Sequence, residues 1–537
     1  MPAAYRGTVS TPATANARPD HVDPAALRAA AEAFTTVLGP GAVLTGEAAE
    51  PYRDPYDFAE WDAHWPSMVV LPASTEEVQA VVRIAAEHRV PVWTTSMGKN
   101  NGYGGAAPRL RGAIVINLQR MNRILAFDEE LGQVTVEPGV TFYELVDECA
   151  RRGGTWWPST PDLGWGSVVG NTADHGVGYT EYGDHAAAAD ALEVVLPDGS
   201  LLRTGMWASS TAAPGHPRGF GPNVTPLFMQ SNLGIITRMS RRMSPRPERY
   251  VPIRFRVPRD ADLVPLIDAT RVLMLEGTIR NIPVIGGVLG TASMRGPRSA
   301  WTDSPDPIGE ADYRRMMTEL GLGWWNLRAA LYGPATIVDA QLERIRAVLL
   351  EAVPEGEFAA LPTSGDAVNE TTVPLHPDRV QAGRPSQALL KSLEWRGGDG
   401  GHLELSPVGP LTGRAAAEIG TILREEMEAS GFDFWPSICL FPRSIVYLGV
   451  INFDRRDPDM IGAAYALYDR AIRRLGAAGY PAYRGHVRGM DTIQDQFDWN
   501  DHAYRRFVER LKDALDPAGV LSPGKQGIWP DAYRGGE

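Results

Sequence analysis

Apolar positions along this chain fall into two periodicities. Val78, Val81, Val82 and Ala85 recur at i, i+3, i+4 and i+7 behind a Ser74–Glu77 capping pattern, which predicts a helix to about His88. Thr141 and Glu144 repeat the capping pattern, with Phe142, Leu145, Val146 and Cys149 as the buried stripe. A short helix is also predicted from Asp23. Ser67–Leu71, the run from Val90, Ala113–Leu118 and Val134–Glu137 read as strands. Leu192–Leu196, a Pro-Asp-Gly turn and Leu201–Arg203 read as a hairpin. Short strands alternating with helices imply an α+β domain whose loops gather at one edge.

Beyond Arg254 the helical patterns lengthen, over Ala261–Glu276, Ile337–Glu351, Ala415–Ser430 and Asp459–Ala477, with strands such as Ile445–Phe453 between them. This predicts a second α+β domain. The stretch SPRPERY, within Met243–Tyr250, reads as the crossing between the two. Turn formers over Thr363–Pro385 suggest a loop above a site.

One stretch fits neither periodicity. SMGKNNGYGG, Ser96–Gly105, holds four glycines and two asparagines in ten residues. These residue types tolerate positive φ, so the loop can turn several backbone N–H groups toward one point, as a pyrophosphate requires. An ordinary surface turn has the same composition. The loop is neither GxGxxG nor a P-loop.

The remaining bulk properties narrow the class. With 537 residues, 44% hydrophobic and 22% charged, the chain suits two or three soluble domains. A net charge of −13 disfavours a phosphate-backbone binder. Cys149 and Cys439 are the only cysteines, which points to a reducing compartment. No run approaches a membrane span, and the first twenty residues lack a signal-peptide h-region. A cytoplasmic location is expected. Asp184 and His185 do not form a cluster with zinc spacing, and no GxSxG elbow occurs.

The Gly-rich loop, PDLGWGSVVGN (Pro161–Asn171), GVGYTEYGDH (Gly176–His185), QSNLGIITRM (Gln230–Met239), AYRGH (Ala482–His486) and DPAGVLSPGKQGIW (Asp516–Trp529) resemble, in order and spacing, the vanillyl-alcohol oxidase, eugenol oxidase and 4-cresol dehydrogenase flavoproteins. The resemblance runs from about Tyr52 to the C-terminus. It implies a two-domain α+β fold of the vanillyl-alcohol-oxidase, PCMH type. Residues 1–24 would be a disordered lead-in. Residues 25–250 and 481–537 would form a split FAD-binding domain around a cap domain at 251–480.

The same resemblance implies site roles. FAD would contact Ser96, Gly98, Lys99, Asn100, Asn101, Gly102 and Gly104 of the loop. It would also meet Pro161, Leu163, Ser167, Val168, Gly170, Asn171, Tyr182 and Gly183, then Gly234, Ile235, Ile236 and Lys525. Ser231 and Asn232 match the same backbone segment. Asp162, otherwise a turn or cap residue, would stand beside flavin N5 and the substrate α-carbon. Tyr103, Tyr483 and Arg484 are ordinary core or surface types singly; together they would meet at a phenol oxygen. Holding a phenol as phenolate near pH 7 takes about three pKa units, roughly 4 kcal/mol. Charge-assisted bonds worth roughly 1.5–3 kcal/mol each can supply it.

The implied reaction is hydride transfer from the α-carbon of a para-substituted phenol to flavin N5, giving a p-quinone methide that takes up water or collapses to an aldehyde. His402, in GGDGGHLELSP, would bond the flavin covalently, which favours an oxidase returning electrons to O2 with release of H2O2. A dehydrogenase using a protein or quinone acceptor is the alternative, and a flavin-binding protein without phenol turnover a further one. Relatives are dimers or larger, so a homo-oligomer is implied. Between Trp395 and His402 the chain is one residue longer than its relatives. Glu404 replaces an aromatic residue or glycine, Arg488 a small residue, Leu389 a glutamate, and Ser444–Tyr447 a Met-His-His stretch. Glu404 and Arg488 would be solvated or paired with each other, or Glu404 would tune the substrate pocket for a polar or charged para side chain.

Overall fold

The structure is a computed structural model that describes residues 22–56 and 64–534. Most of the lead-in expected at 1–24 lies outside these residues. Three sheets carry the architecture. The first holds Val43–Leu44, Val69–Val70, Ile114–Asn117 and Val92–Thr95 in that spatial order. Its last three strands run parallel, Val70 opposite Ile116 and Thr94 opposite Ile116. Parallel neighbours need a crossover, and helix Thr75–His88 supplies it, burying Val78, Val81, Val82 and Ala85 as the spacing predicted. Ser74 accepts from the Glu77 amide, but the Glu77 carboxylate reaches back to Ala73 N–H rather than to Ser74. At Thr141–Glu144 the reciprocal box is complete, opening helix Phe142–Arg151.

The second sheet is antiparallel and five-stranded: Ile124–Asp128, Gln133–Val136, Ile235–Arg242, Ala189–Val195 and Leu201–Arg203. Its last two strands are the predicted hairpin.

The third sheet has nine strands drawn from Arg249–Val257 to Ser444–Asp454. Strand Arg249–Val257 pairs over its whole length with Trp325–Gly333. Neither was read from the sequence, since both are interrupted by arginines and asparagine that face away from the core. Helices Leu263–Leu275, Ala335–Ala352, Gly413–Ala429 and Pro458–Ala477 cover one face and form the largest core. The other face looks onto a cavity. Period-two alternation sorts the two: in Ser444–Asp454, Ile445, Tyr447, Ile451 and Phe453 enter the core, while Val446, Leu448, Val450 and Asn452 line the cavity.

The chain end closes the first sheet. Val92 N–H donates to Val520 O at 2.8 Å and Ser522 N–H to Val92 O at 2.7 Å. Lys512, fully buried, holds this join by donating to Asn232 O at 2.7 Å and Leu521 O at 2.6 Å, beside Asp516 at 2.8 Å. Segment Thr363–Pro385 is not all loop; it contains helix His376–Val380. Among the described residues no helix is long and apolar enough to cross a membrane.

Candidate active site

A cavity of about 420 Å³ lies between the first sheet's loops and the inner face of the nine-stranded sheet, within the usual range for ligand sites and at an interface of structural units. Loop Ser96–Gly105 forms one wall. Among the described residues the amides of Gly98, Lys99 and Asn100, which line the cavity, have no hydrogen-bond acceptor. Three such N–H groups fit an anionic pyrophosphate. At Gly170 an added Cβ would fall 2.0 Å from Ser96 Oγ, so only glycine lets the loop meet helix Val168–Ala173. Lys525 extends from the returning segment over the Trp93 ring at 5.4 Å, and burial lowers its pKa against the charge of Asp174.

The cavity also receives Ser96, Asn101, Pro161, Leu163, Ser167, Asn171, Gly234, Ile235 and Ile236. Five residues expected at the cofactor do not line it. Val168 is a fully buried core residue. Gly102 and Gly104 act by closeness: an added Cβ would lie 2.6 Å from His402 Nε2 at the first and 2.8 Å from Val487 at the second. Tyr182 sits 5.6 Å from the Arg242 guanidinium, and Gly183 packs on Ile282.

Three side chains from opposite ends of the sequence meet in this cavity. Arg484 lies over the Tyr103 ring at 4.0 Å and 5.9 Å from the Tyr483 ring. Its Nε is buried without a hydrogen-bond partner and lies 3.6 Å from Asp174 Oδ2. Burial alone would lower the Arg484 pKa, but Tyr103, Tyr483, Asp174 and Glu404 outweigh it and raise the value. Burial pushes Tyr483 up to about 12 against the pull of Arg484, and raises Tyr103 further. Both phenols therefore keep their protons at neutral pH, and the guanidinium stays charged.

Asp162 reaches the cavity through a local clamp. Its carbonyl accepts from Ser386 N–H at 2.8 Å, and its carboxylate accepts from Tyr179 Oη at 2.6 Å. Arg328 stands 3.9 Å behind the carboxylate and 4.7 Å over the Tyr179 ring. Burial lowers the Arg328 pKa, yet Asp162 and Tyr179 raise it overall.

Strand Gly400–Leu405 fills the opposite wall. Leu403 and Leu405 enter the core, so His402 and Glu404 face the cavity. The register sets His402 against Asn452 and Glu404 against Val450, and residues 397–399 bend just before the strand begins. His402 Nδ1 is buried without a partner; Nε2 is 3.6 Å from Glu404. Glu404 lines the cavity, next to Gly102, where an added Cβ would lie 3.4 Å from its Cγ. Arg488 lies 5.0 Å from the Tyr465 ring.

Several site residues escaped sequence reasoning. Ser406 binds the Tyr103 hydroxyl at 2.8 Å; its place two after Glu404 and four after His402 was a readable same-face signal. Tyr179 and Asp174 lie in or beside quoted motifs. Arg328, Trp435 and Cys439 had no local signal. Among the described residues no group of three or more His, Cys, Asp or Glu could hold a metal.

Sheet order, loop and cavity define an FAD-binding oxidoreductase of the PCMH type. Residues 66–205 match the FAD binding domain family. The chain is 32% identical over 505 residues to the 4-cresol dehydrogenase [hydroxylating] flavoprotein subunit of Pseudomonas putida, covering 93% of this chain and 95% of that one. It is 33% identical to 1'-carboxy-chondrochloren decarboxylase of Chondromyces crocatus, covering 94% and 99%. Among solved structures, 4-ethylphenol oxidase from Gulosibacter chungangensis in an isoeugenol complex superposes with TM-score 0.91 at 32% identity, covering 96% of this chain and all of that one. p-Cresol methylhydroxylase with substrate bound gives TM-score 0.90 at 30% identity, covering 96% and 99%. The chain belongs to the vanillyl-alcohol oxidase/p-cresol methylhydroxylase family of flavoproteins.

Proposed function

We propose that the protein oxidises para-substituted phenols, among them 4-hydroxybenzylic alcohols and 4-alkyl- or 4-allylphenols, and passes the electrons to O2. The carrying observation is the convergence of Tyr103, Tyr483 and Arg484 in the cavity that Asp162 also lines. The hydroxyl end of a phenol would meet the two tyrosines and the guanidinium, and its para carbon would point toward Asp162. The permanently charged, buried Arg484 favours the phenolate, which raises electron density at the para position. Asp162, fixed by Tyr179 and Arg328, stabilises positive charge developing at the α-carbon and can orient water there. When bound, FAD supplies the hydride acceptor.

The FAD would rest on the Gly98–Asn100 amides and Lys525, with Ser167, Gly170, Asn171 and Gly234–Ile236 along its length. His402 is the covalent anchor in this reading, since its ring enters the cavity with an unpartnered buried nitrogen. Yellow colour retained by acid-precipitated protein, and lost in His402→Ala, checks the linkage. A homodimer or larger assembly in the cytoplasm belongs to the same reading.

Anaerobic mixing of the holoenzyme with a 4-alkylphenol is expected to bleach the flavin; no bleaching by any para-substituted phenol sinks the assignment. Steady O2 uptake with H2O2 release separates the oxidase from the second reading, a dehydrogenase. That reading is kept open by the relative named 4-cresol dehydrogenase.

A further inference from the structure

Resting on that reading, we propose that Asp54, acting through His486, is a positioning residue that holds the phenol-binding segment Tyr483–Arg484 in register with His402. Asp54 and His486 are both buried, and neither lines the cavity. Each oxygen of the Asp54 carboxylate reaches a different side of the site. Oδ1 accepts from Tyr56 N–H at 3.0 Å, and the Tyr56 ring lies 5.3 Å from the His402 ring. Oδ2 meets His486 Nε2 at 2.6 Å, two residues beyond Arg484.

The segment from Tyr483 to Val487 has little slack. Tyr483 N–H donates to Ser406 O at 3.3 Å, and Val487 N–H to Tyr103 O at 3.3 Å. Gln230 Nε2 donates to Tyr483 O at 3.0 Å, and His486 N–H to Tyr468 Oη at 2.8 Å. At Gly485 an added Cβ would lie 2.1 Å from Ile493 Cδ1 and 3.1 Å from Tyr468 Oη. The segment that carries Arg484 therefore also holds the backbone of Tyr103, over whose ring the guanidinium lies at 4.0 Å.

Donor counting fixes the polarity of the dyad. Arg488 N–H donates to His486 Nδ1 at 3.2 Å. A backbone N–H only donates, so Nδ1 presents its lone pair and the ring proton sits on Nε2. Nε2–H then donates to the Asp54 carboxylate, a charge-assisted bond. An asparagine of the same shape at position 54 fits in neither orientation. With its oxygen on Tyr56 N–H, its NH2 group faces His486 Nε2–H, donor against donor. Turned over, the NH2 group faces Tyr56 N–H instead. Moving the His486 proton to Nδ1 only transfers the clash to Arg488 N–H. The segment must shift to relieve it, and Arg484 shifts with it. Reacting groups misplaced by about 1 Å lose roughly 100-fold in rate.

The test uses the FAD-loaded enzyme and its Asp54→Asn, Arg484→Ala and doubly substituted forms. The measurement is flavin reduction by a 4-alkylphenol under anaerobic single-turnover conditions, per bound flavin. Asp54→Asn alone should slow reduction about 100-fold. A residue that acts through Arg484 gives a strongly non-additive cycle, so in the Arg484→Ala background Asp54→Asn should cost less than about 10-fold. A wild-type rate in Asp54→Asn, or a loss of 10-fold or more in the Arg484→Ala background, overturns the positioning role. If Asp54→Asn does not fold, Tyr468→Phe carries the test. It removes the acceptor of His486 N–H from the same join and should slow reduction about 10-fold, again with little further loss in the Arg484→Ala background; an unchanged rate, or the full loss in both backgrounds, overturns the role. Absence of flavin bleaching by any para-substituted phenol in wild type instead overturns the underlying phenol-oxidation reading, and the positioning role with it.

Discussion

Arg484 is the residue on which most of the site's electrostatics depend. It is buried, stacked on Tyr103 and shared between two phenols and Asp174. Lysine would keep the charge but lose the planar fork and the stacking. Arg484→Lys should cost roughly 1.5–3 kcal/mol of transition-state stabilisation, about 10- to 150-fold in kcat/KM, read from steady-state kinetics with a 4-alkylphenol. Tyr103, Tyr483 and Arg484 were legible only as members of motifs, because each residue type is common and they lie far apart in sequence. Arg328 was not legible at all. It sits on a strand between Leu327 and Ala329, and its importance comes from Asp162, which lies on another element. Such cross-chain pairing leaves no trace in local spacing.

At the scale of elements, close approach between the Gly-rich loop and the strand carrying His402 makes the site compact. Gly102→Ala places a methyl group against the His402 ring at a φ that alanine rarely adopts. The expected result is purified protein with a much lower FAD-to-protein ratio, measured from its visible spectrum, and a circular dichroism spectrum close to wild type. Helices with clean 3.6-residue stripes, such as Thr75–His88 and Pro458–Ala477, were readable because one face is buried and the other wet. Strands Arg249–Val257 and Trp325–Gly333 were not. Proline, arginine and asparagine interrupt their apolar pattern, and long antiparallel pairing rather than local preference fixes them.

For the whole molecule, the important joins link residues hundreds of positions apart. Asp54 accepts from or pairs with His486 at 2.6 Å, both fully buried. Burial would raise the Asp54 carboxyl, but His486 outweighs it and lowers the value. Beside them His64, bonded to Pro108 O at 3.0 Å, is lowered by burial from 6.5 to about 4. The unfolded chain therefore binds the His64 proton first as pH falls. Stability from this group is complete above about pH 6.5 and is lost progressively toward pH 4, by up to about 3 kcal/mol. Asp54 adds its own loss at lower pH, starting near the ordinary carboxylate value and complete only below its depressed folded value. Urea unfolding of the holoenzyme across this range should show the slope, and His64→Gln should flatten it between pH 6.5 and 4.

The join of Val92 to Val520 and Ser522 has a consequence for biosynthesis. On the ribosome, the amino-terminal sheet emerges with one edge bare, and its partner follows 428 residues later, as the Thr94–Ser522 contact spans. Tyr483, Arg484 and Lys525 arrive equally late. Flavin capture should therefore wait until the segment carrying Tyr483, Arg484 and Lys525 has emerged, and nascent polypeptides arrested before that segment should stay colourless however long they wait.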